Sequence, residues 1–213
     1  LNANTSGIKN VAIGTSTIQS TTTDSFNTAV GADGLFDLTS GSENTAVGAG
    51  ALANIGTGSF NTAIGSITLN QVATGDNNTA VGYQSLYQIT GENNTAVGYR
   101  AGYTGTKNQS VSIGDNSNAV NDYSMAIGTN SYAGASMGTV TGACTGCVGT
   151  SGSIAIGSYA RTDYANSIVI GNCATGEASN ELKISECITS QRWSRSFEQT
   201  ASSTQPLVID LTT

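Results

Sequence analysis

Four cysteines carry the most specific chemistry in this chain. Cys144-Thr-Gly-Cys147 has the spacing of half a zinc knuckle, and a four-cysteine site would need Cys173 and Cys187 to converge on it. The alternative is oxidation. Cys173 and Cys187 lie 14 residues apart, which predicts a disulfide if 14 is a structural period, and Cys144 then pairs with Cys147 or stays free. Two disulfides would favour an oxidising, extracellular setting. The loops at Glu43, Asp76 and Glu92 each supply one carboxylate, short of the oxygen cage that calcium takes. Histidine is absent, which removes the commonest general base and metal ligand and makes a Ser-His-Asp triad impossible. The chain is expected to be no enzyme and to use no metal or cofactor.

Recognition chemistry is better represented. Phe26, Phe36, Phe60, Tyr83, Tyr87, Tyr99 and Tyr103 occupy outer loops, where aromatic faces suit stacking on sugars or packing over neighbouring loops. Trp193, with Arg192, Arg195 and Phe197 around it, is a further candidate for surface recognition, because Trp and Arg often dominate binding energy. The same stretch, 188–213, could instead cap the core, form a neck or begin another domain. Asn77-Asn-Thr79 and Asn93-Asn-Thr95 match glycosylation acceptors, but they also fall on a repeat, which explains them without modification.

That repeat positions everything else. Asn-Thr-Ala-Val/Ile-Gly ends at Gly31, Gly48, Gly65, Gly82 and Gly98, and looser copies end at Gly14, Gly114, Gly128, Gly157 and Gly171. The spacing is 17 residues in the first part, then 16, then mostly 14, with one gap of 29 between Gly128 and Gly157. The long gap predicts a degenerate copy within it. A period this short fits one coil of a β-solenoid, since helical repeats run to about 30 residues or more. The fold class expected is all-β: a parallel β-roll of 14–17-residue coils over residues 1–187, long coils to about 114 and short coils after.

Each coil reads as strand, turn, strand, loop. Thr28 and Val30 share one face of the first strand and Ala29 takes the other. Pairs such as Val11/Ile13, Val111/Ile113, Met125/Ile127, Ile154/Ile156 and Ile168/Ile170 predict that the Thr/Val face points inside. The small-residue face is then expected against a partner chain. Gly31, Gly48, Gly65, Gly82 and Gly98 end the strand in a tight turn that needs positive φ. Apolar residues four and seven positions on, among them Leu35, Leu52, Leu69, Leu86, Leu38, Ile55, Val72 and Ile89, predict a second strand. Asn27, Asn44, Asn61, Asn78 and Asn94 form one column, suited to an amide ladder or to a turn conformation. Lys183 and Ser185 replace the small residue and the glycine of the last copy, which predicts the end of the stack.

Composition bounds the partners. Charged residues are 10% of 213 and the net charge is −7, so nucleic acid is an unfavourable partner. No apolar run reaches the length of a transmembrane helix, and no membrane insertion is expected. Residue 1 is Leu rather than Met, as in a processed or trimmed piece of a longer protein.

Ser153-Ile-Ala-Ile-Gly157 and Ser124-Met-Ala-Ile-Gly128 resemble the head repeats of trimeric autotransporter adhesins. The Asn-Thr-Ala-Val-Gly form at 16–17-residue spacing is similar to repeats of bacteriophage and large-virus fibre proteins. The resemblance covers about residues 8–187. It implies a left-handed parallel β-roll, three of which pack around an axis as a homotrimer. It also implies a structural attachment protein: a virion or tail fibre shaft or head outside the cell, reaching a cell-surface glycan or protein receptor. A bacterial surface adhesin head shares the fold and differs in its anchor. An ice-binding solenoid is a further alternative, since Thr28, Thr45, Thr62, Thr79 and Thr95 form a regular column. Their expected inward direction argues against it.

Overall fold

Successive copies of the repeat stack as a parallel β-solenoid. The computed structural model describes residues 6–19, 23–71, 74–105, 107–134, 152–164 and 167–184. Eleven three-residue strands form the main sheet: β1 (Val11–Ile13), β2 (Thr28–Val30), β3 (Thr45–Val47), β4 (Thr62–Ile64), β5 (Thr79–Val81), β7 (Thr95–Val97), β9 (Val111–Ile113), β11 (Met125–Ile127), β13 (Ile154–Ile156), β15 (Ile168–Ile170) and β16 (Leu182–Ile184). Every pairing is parallel and in register, so Ala46 faces Ala29 and Ala63 on its two neighbours. At the usual strand spacing the stack is roughly 50 Å long. Among the described residues there is no helix.

The two faces of the main sheet are reversed from the sequence expectation. Ala29, Ala46, Ala63, Ala80, Ala96, Ala126, Ala155 and Val169 are fully buried inside the coil. Thr28 and Val30 point outward, and Val47, Ile64 and Val97 remain 37%, 43% and 39% exposed. The reason lies across the coil. Ile18, Leu35, Leu52, Leu69 and Leu86 are also fully buried and fill the interior facing the sheet. The long coils turn in two large residues each, Leu35 with Leu38, Leu52 with Ile55 and Leu86 with Ile89, all fully buried, and these fill the interior, so the sheet contributes the small one.

Those leucines do not lie on a second strand, as the spacing suggested. They sit at corners with φ of 47–52°, a left-handed conformation that costs an L-residue about 1–2 kcal/mol. Burying a leucine returns about 1.5–3 kcal/mol, so inward turning is favoured. The corner backbone is not left unpaired: Leu52 N donates to Thr68 O at 3.0 Å and Leu69 N to Ser85 O at 3.0 Å. Among the described residues second strands appear from the later coils onward, as the pairs β6 (Gln88–Ile89) with β8 (Thr104–Gly105), and β10 (Asn118–Ala119) with β12 (Tyr132–Ala133) and β14 (Arg161–Thr162).

The asparagine column is a ladder. Asn44 Nδ2 donates to Asn27 Oδ1 at 3.2 Å and to Gly58 O at 2.9 Å, and Asn27 Oδ1 also accepts from Asn44 N at 2.9 Å. Asn61, Asn78 and Asn94 continue it, all fully buried. None of these asparagines has positive φ, so the ladder, not a turn conformation, accounts for them. In the short coils serine takes the column, with Ser110 Oγ donating to Asn94 Oδ1 at 2.7 Å.

The gap of 29 holds no further coil of the main sheet. Met125 pairs directly with Ile154 and Tyr132 with Arg161, so the extra residues are an insertion within one coil. Most of that insertion, including Cys144 and Cys147, lies outside the described residues, as do Val72, Ser185, Cys187, Trp193 and all of 188–213.

Shortening the coil changes what fills it. In the leucine column Leu86 is followed by Gly102, and opposite Ile89 stands Gly105. From the next coil onward the backbone leaves the left-handed region at this corner. Asn118, Tyr132 and Arg161 then turn outward, and Ala119, Ala133 and Thr162 turn in. At this junction the interior is filled by Lys107. It takes the position of Gly91 one coil on and is fully buried. Its Nζ donates to Ala119 O at 2.5 Å, with Gly102 O at 3.5 Å. Burial pulls its pKa down from 10.5 to about 7.

Candidate functional site

Aromatic residues on adjacent coils stack because the register places like positions one strand spacing apart. Tyr83 and Tyr99 are parallel with ring centroids 5.5 Å apart, and Tyr87 and Tyr103 are parallel at 5.2 Å. Packing and display coexist here, for Tyr83 and Tyr99 are still 42% and 47% exposed. Gln71 Nε2 donates to the Tyr87 hydroxyl at 3.0 Å, and Gln88 Nε2 donates to Gln71 Oε1 at 2.7 Å. The result is one patch of phenol faces edged by amides.

Arg100 joins the two tyrosine stacks. Its guanidinium lies 4.5 Å from the Tyr103 ring centroid and 5.9 Å from that of Tyr99, within cation–π range. A hydrogen bond to Tyr103 is the leading influence that raises its pKa above the ordinary value, so it is charged at any pH the protein meets. Beside it the change of coil length opens a step. Arg100 and Tyr103 on the last long coil, with Asn116 and Asn118 on the first short one, line a cavity of about 220 Å³. Arg100 Nε and Asn118 Oδ1, on two of the lining residues, are both buried without a hydrogen-bond partner.

The sequence singled out Tyr83, Tyr87, Tyr99 and Tyr103, and the fold gathers them into this patch. It did not single out Arg100, Asn116 or Asn118. The signal was present in Gly102 and Gly105, which interrupt the Leu and Ile columns where the period shortens. Phe26 and Phe60 lie apart at left-handed corners, exposed, with Lys9 Nζ 4.8 Å from the Phe26 ring centroid.

The remaining candidates serve the stack. Gly31, Gly48, Gly65, Gly82 and Gly98 have φ between 129° and 136°. A Cβ on Gly65 would stand 2.3 Å from Gly82 O, so close backbone approach as well as φ requires glycine. Asp76 is occupied as an acceptor, receiving Ser59 N at 2.7 Å. Among the described residues no group of three or more His, Cys, Asp or Glu is placed to hold a metal ion. Cys173 is exposed, and its expected partner Cys187 is outside the described residues.

A second surface is the outer face of the main sheet. Its outward positions hold Thr28, Thr45, Thr62, Thr79 and Thr95, and otherwise only Val, Ile, Leu or Met. No charge interrupts it from Val11 to Ile184. No protein-family model, curated protein or solved structure gave a match to this chain.

Proposed function

We propose that this chain is the rod-forming subunit of a homotrimeric attachment fibre, the shaft or head of a virion fibre displayed outside the cell. The observation that carries it is the uncharged outer face of the eleven-stranded sheet. A strip of Val, Ile, Leu and Met about 50 Å long, set in rigid register, favours burial against like strips. Closed symmetry would bury the strip without open aggregation. In the trimer each roll is left-handed, and the tyrosine patch is held out for a cell-surface glycan or protein receptor. Three copies raise avidity for a repetitive ligand. Rigid display, not turnover, is the work of such a chain, so it is no enzyme. A bacterial adhesin head would use the same rod on a different anchor.

The outward direction of the threonine column supports one competing use of the same face, the ordering of ice. The column stops at Thr95, however. Val111, Met125, Ile154, Ile168 and Leu182 follow in its place, and these favour a protein partner over water. Native mass by light scattering, with and without reductant, separates the two. We expect three times the 21.4 kDa chain mass, falling to one chain in the double variant Ile64→Glu, Ile127→Glu with the circular-dichroism spectrum retained. A monomeric wild type with thermal hysteresis would replace the fibre with an ice binder.

A further inference from the structure

Two arginines of the described chain stack on tyrosine, and they differ in one respect. Arg161 lies 5.4 Å from the Tyr132 ring centroid and ion-pairs with Asp163 at 2.7 Å. Arg100 lies over Tyr103 and Tyr99 with no carboxylate partner among the described residues. The chain therefore completes one arginine site internally and leaves the other open at the mouth of a cavity.

The donor and acceptor inventory of that cavity restricts what completes it. Arg100 can only donate, and it matches an acceptor-only group, best a planar carboxylate. Asn118 presents an unpaired buried acceptor, Oδ1, and so asks for a donor. A bare anion satisfies the first and is repelled by the second. Hydroxyls both donate and accept, as do the Asn116 and Asn118 amides. Tyr103 has Tyr87 on one face and Arg100 over the other, so it offers its ring edge as an apolar wall of the cavity. A volume of about 220 Å³ is below that of a drug-sized pocket, roughly 300 Å³ or more, and suits a single ring.

We infer that the step between the long and short coils is a subsite for a carboxylate-bearing sugar, a sialic or uronic acid unit. Arg100 takes the carboxylate, the edge of Tyr103 walls the ring, and Asn116 and Asn118 take the hydroxyls. Tyr87, stacked behind Tyr103, extends that wall along the rod toward Gln71 and Gln88. The inference rests on the attachment function proposed above and names the chemistry its receptor would present.

The test is titration of the full chain, by calorimetry or saturation-transfer NMR, with N-acetylneuraminic acid and with glucuronic acid, each against its methyl ester. We expect at least one acid to bind, and its ester to bind about tenfold or more weaker, the scale of a lost charge-assisted hydrogen bond. Arg100→Gln should abolish the preference for acid over ester. Asn118→Asp, which gives Arg100 an internal carboxylate as Asp163 does for Arg161, should weaken the acid by a similar factor. Equal binding of acid and ester, no binding of any probe, or an acid preference that survives both substitutions would overturn the inference. So would competition by inorganic phosphate, or by a short peptide's C-terminal carboxylate, as strong as that of the acid sugar. Native mass is measured on the same samples. A trimer that binds no sugar refutes only the subsite, and a monomer that binds it refutes only the fibre.

Discussion

Lys107 makes the stability of this solenoid depend on pH in a direction opposite to that of a paired surface lysine. Its ammonium is buried where the leucine column ends, and its pKa falls from 10.5 to about 7 because burial penalises the charged form. At about 1.4 kcal/mol per pH unit, that fall corresponds to ~5 kcal/mol. The unfolded chain keeps this proton up to about pH 10.4, whereas the folded chain releases it from about 7. Between those values the unfolded state binds more protons, so stability rises with pH. The penalty is full below pH 7 and vanishes above about 10.4. Lys107→Met keeps the length of the side chain and removes the charge. It also leaves Ala119 O and Gly102 O without the Nζ donor, a loss of about 1–3 kcal/mol. At pH 6 the variant should therefore be more stable than the wild type by about 2–4 kcal/mol, or roughly 5–15 °C in Tm for a chain of this size. At pH 10, where under about 1 kcal/mol of the penalty remains, the order should reverse, by up to about 2 kcal/mol. The assay is thermal and urea unfolding followed by circular dichroism from pH 6 to 10. Comparing the two proteins at each pH cancels the titration of tyrosines common to both. If the two stability curves run parallel, or the variant is the less stable at pH 6, the ammonium is not buried as described.

Other substitutions test the interior. Asn61→Ala removes the donor to Gly75 O and the acceptor of Asn78 N, leaving two buried backbone groups unpaired, and should lower stability by roughly 2–5 kcal/mol in urea unfolding. Ala63→Leu forces a large side chain into a fully buried position and should cost about 1–3 kcal/mol. Thr62→Val, on the outward face, should leave the midpoint unchanged or higher. Similar losses from Ala63→Leu and Thr62→Val would undo the assignment of faces.

Much of the architecture was legible because the solenoid is specified locally. Each coil repeats the same turn glycine, and those from Leu35 to Leu86 also repeat the same asparagine and the same corner leucine, so period and parallel register follow from counting. Direction was not legible in the same way. Alternation in Thr28-Ala-Val30 says that two faces differ, and hydrophobicity alone assigns the larger residues to the core. Whether they fit depends on the width of the coil, which is set by Leu35, Leu52, Leu69 and Leu86 turning inward from left-handed corners. That conformation is unfavourable for leucine by itself and is fixed only by burial and by hydrogen bonds to the next coil. The gap of 29 misled for a related reason, since spacing cannot distinguish an inserted loop from a degenerate coil until Met125 is seen paired with Ile154.

The candidate site divides along the same line. Stacked tyrosines follow from a regular period, because equal spacing places Tyr83 over Tyr99 and Tyr87 over Tyr103. The cavity beside them arises where regularity fails. Gly102 and Gly105 withdraw two core side chains, Lys107 enters the space, and the shorter coil below turns Asn118 outward beneath Arg100. The sequence by itself determined the repeat, its register and the column each residue occupies, because these depend on neighbours within one coil. Which face is core, which is left exposed and where buried polar groups stand unpaired was decided only by the tertiary structure. Those depend on the space between columns, a quantity shared by residues far apart along the chain.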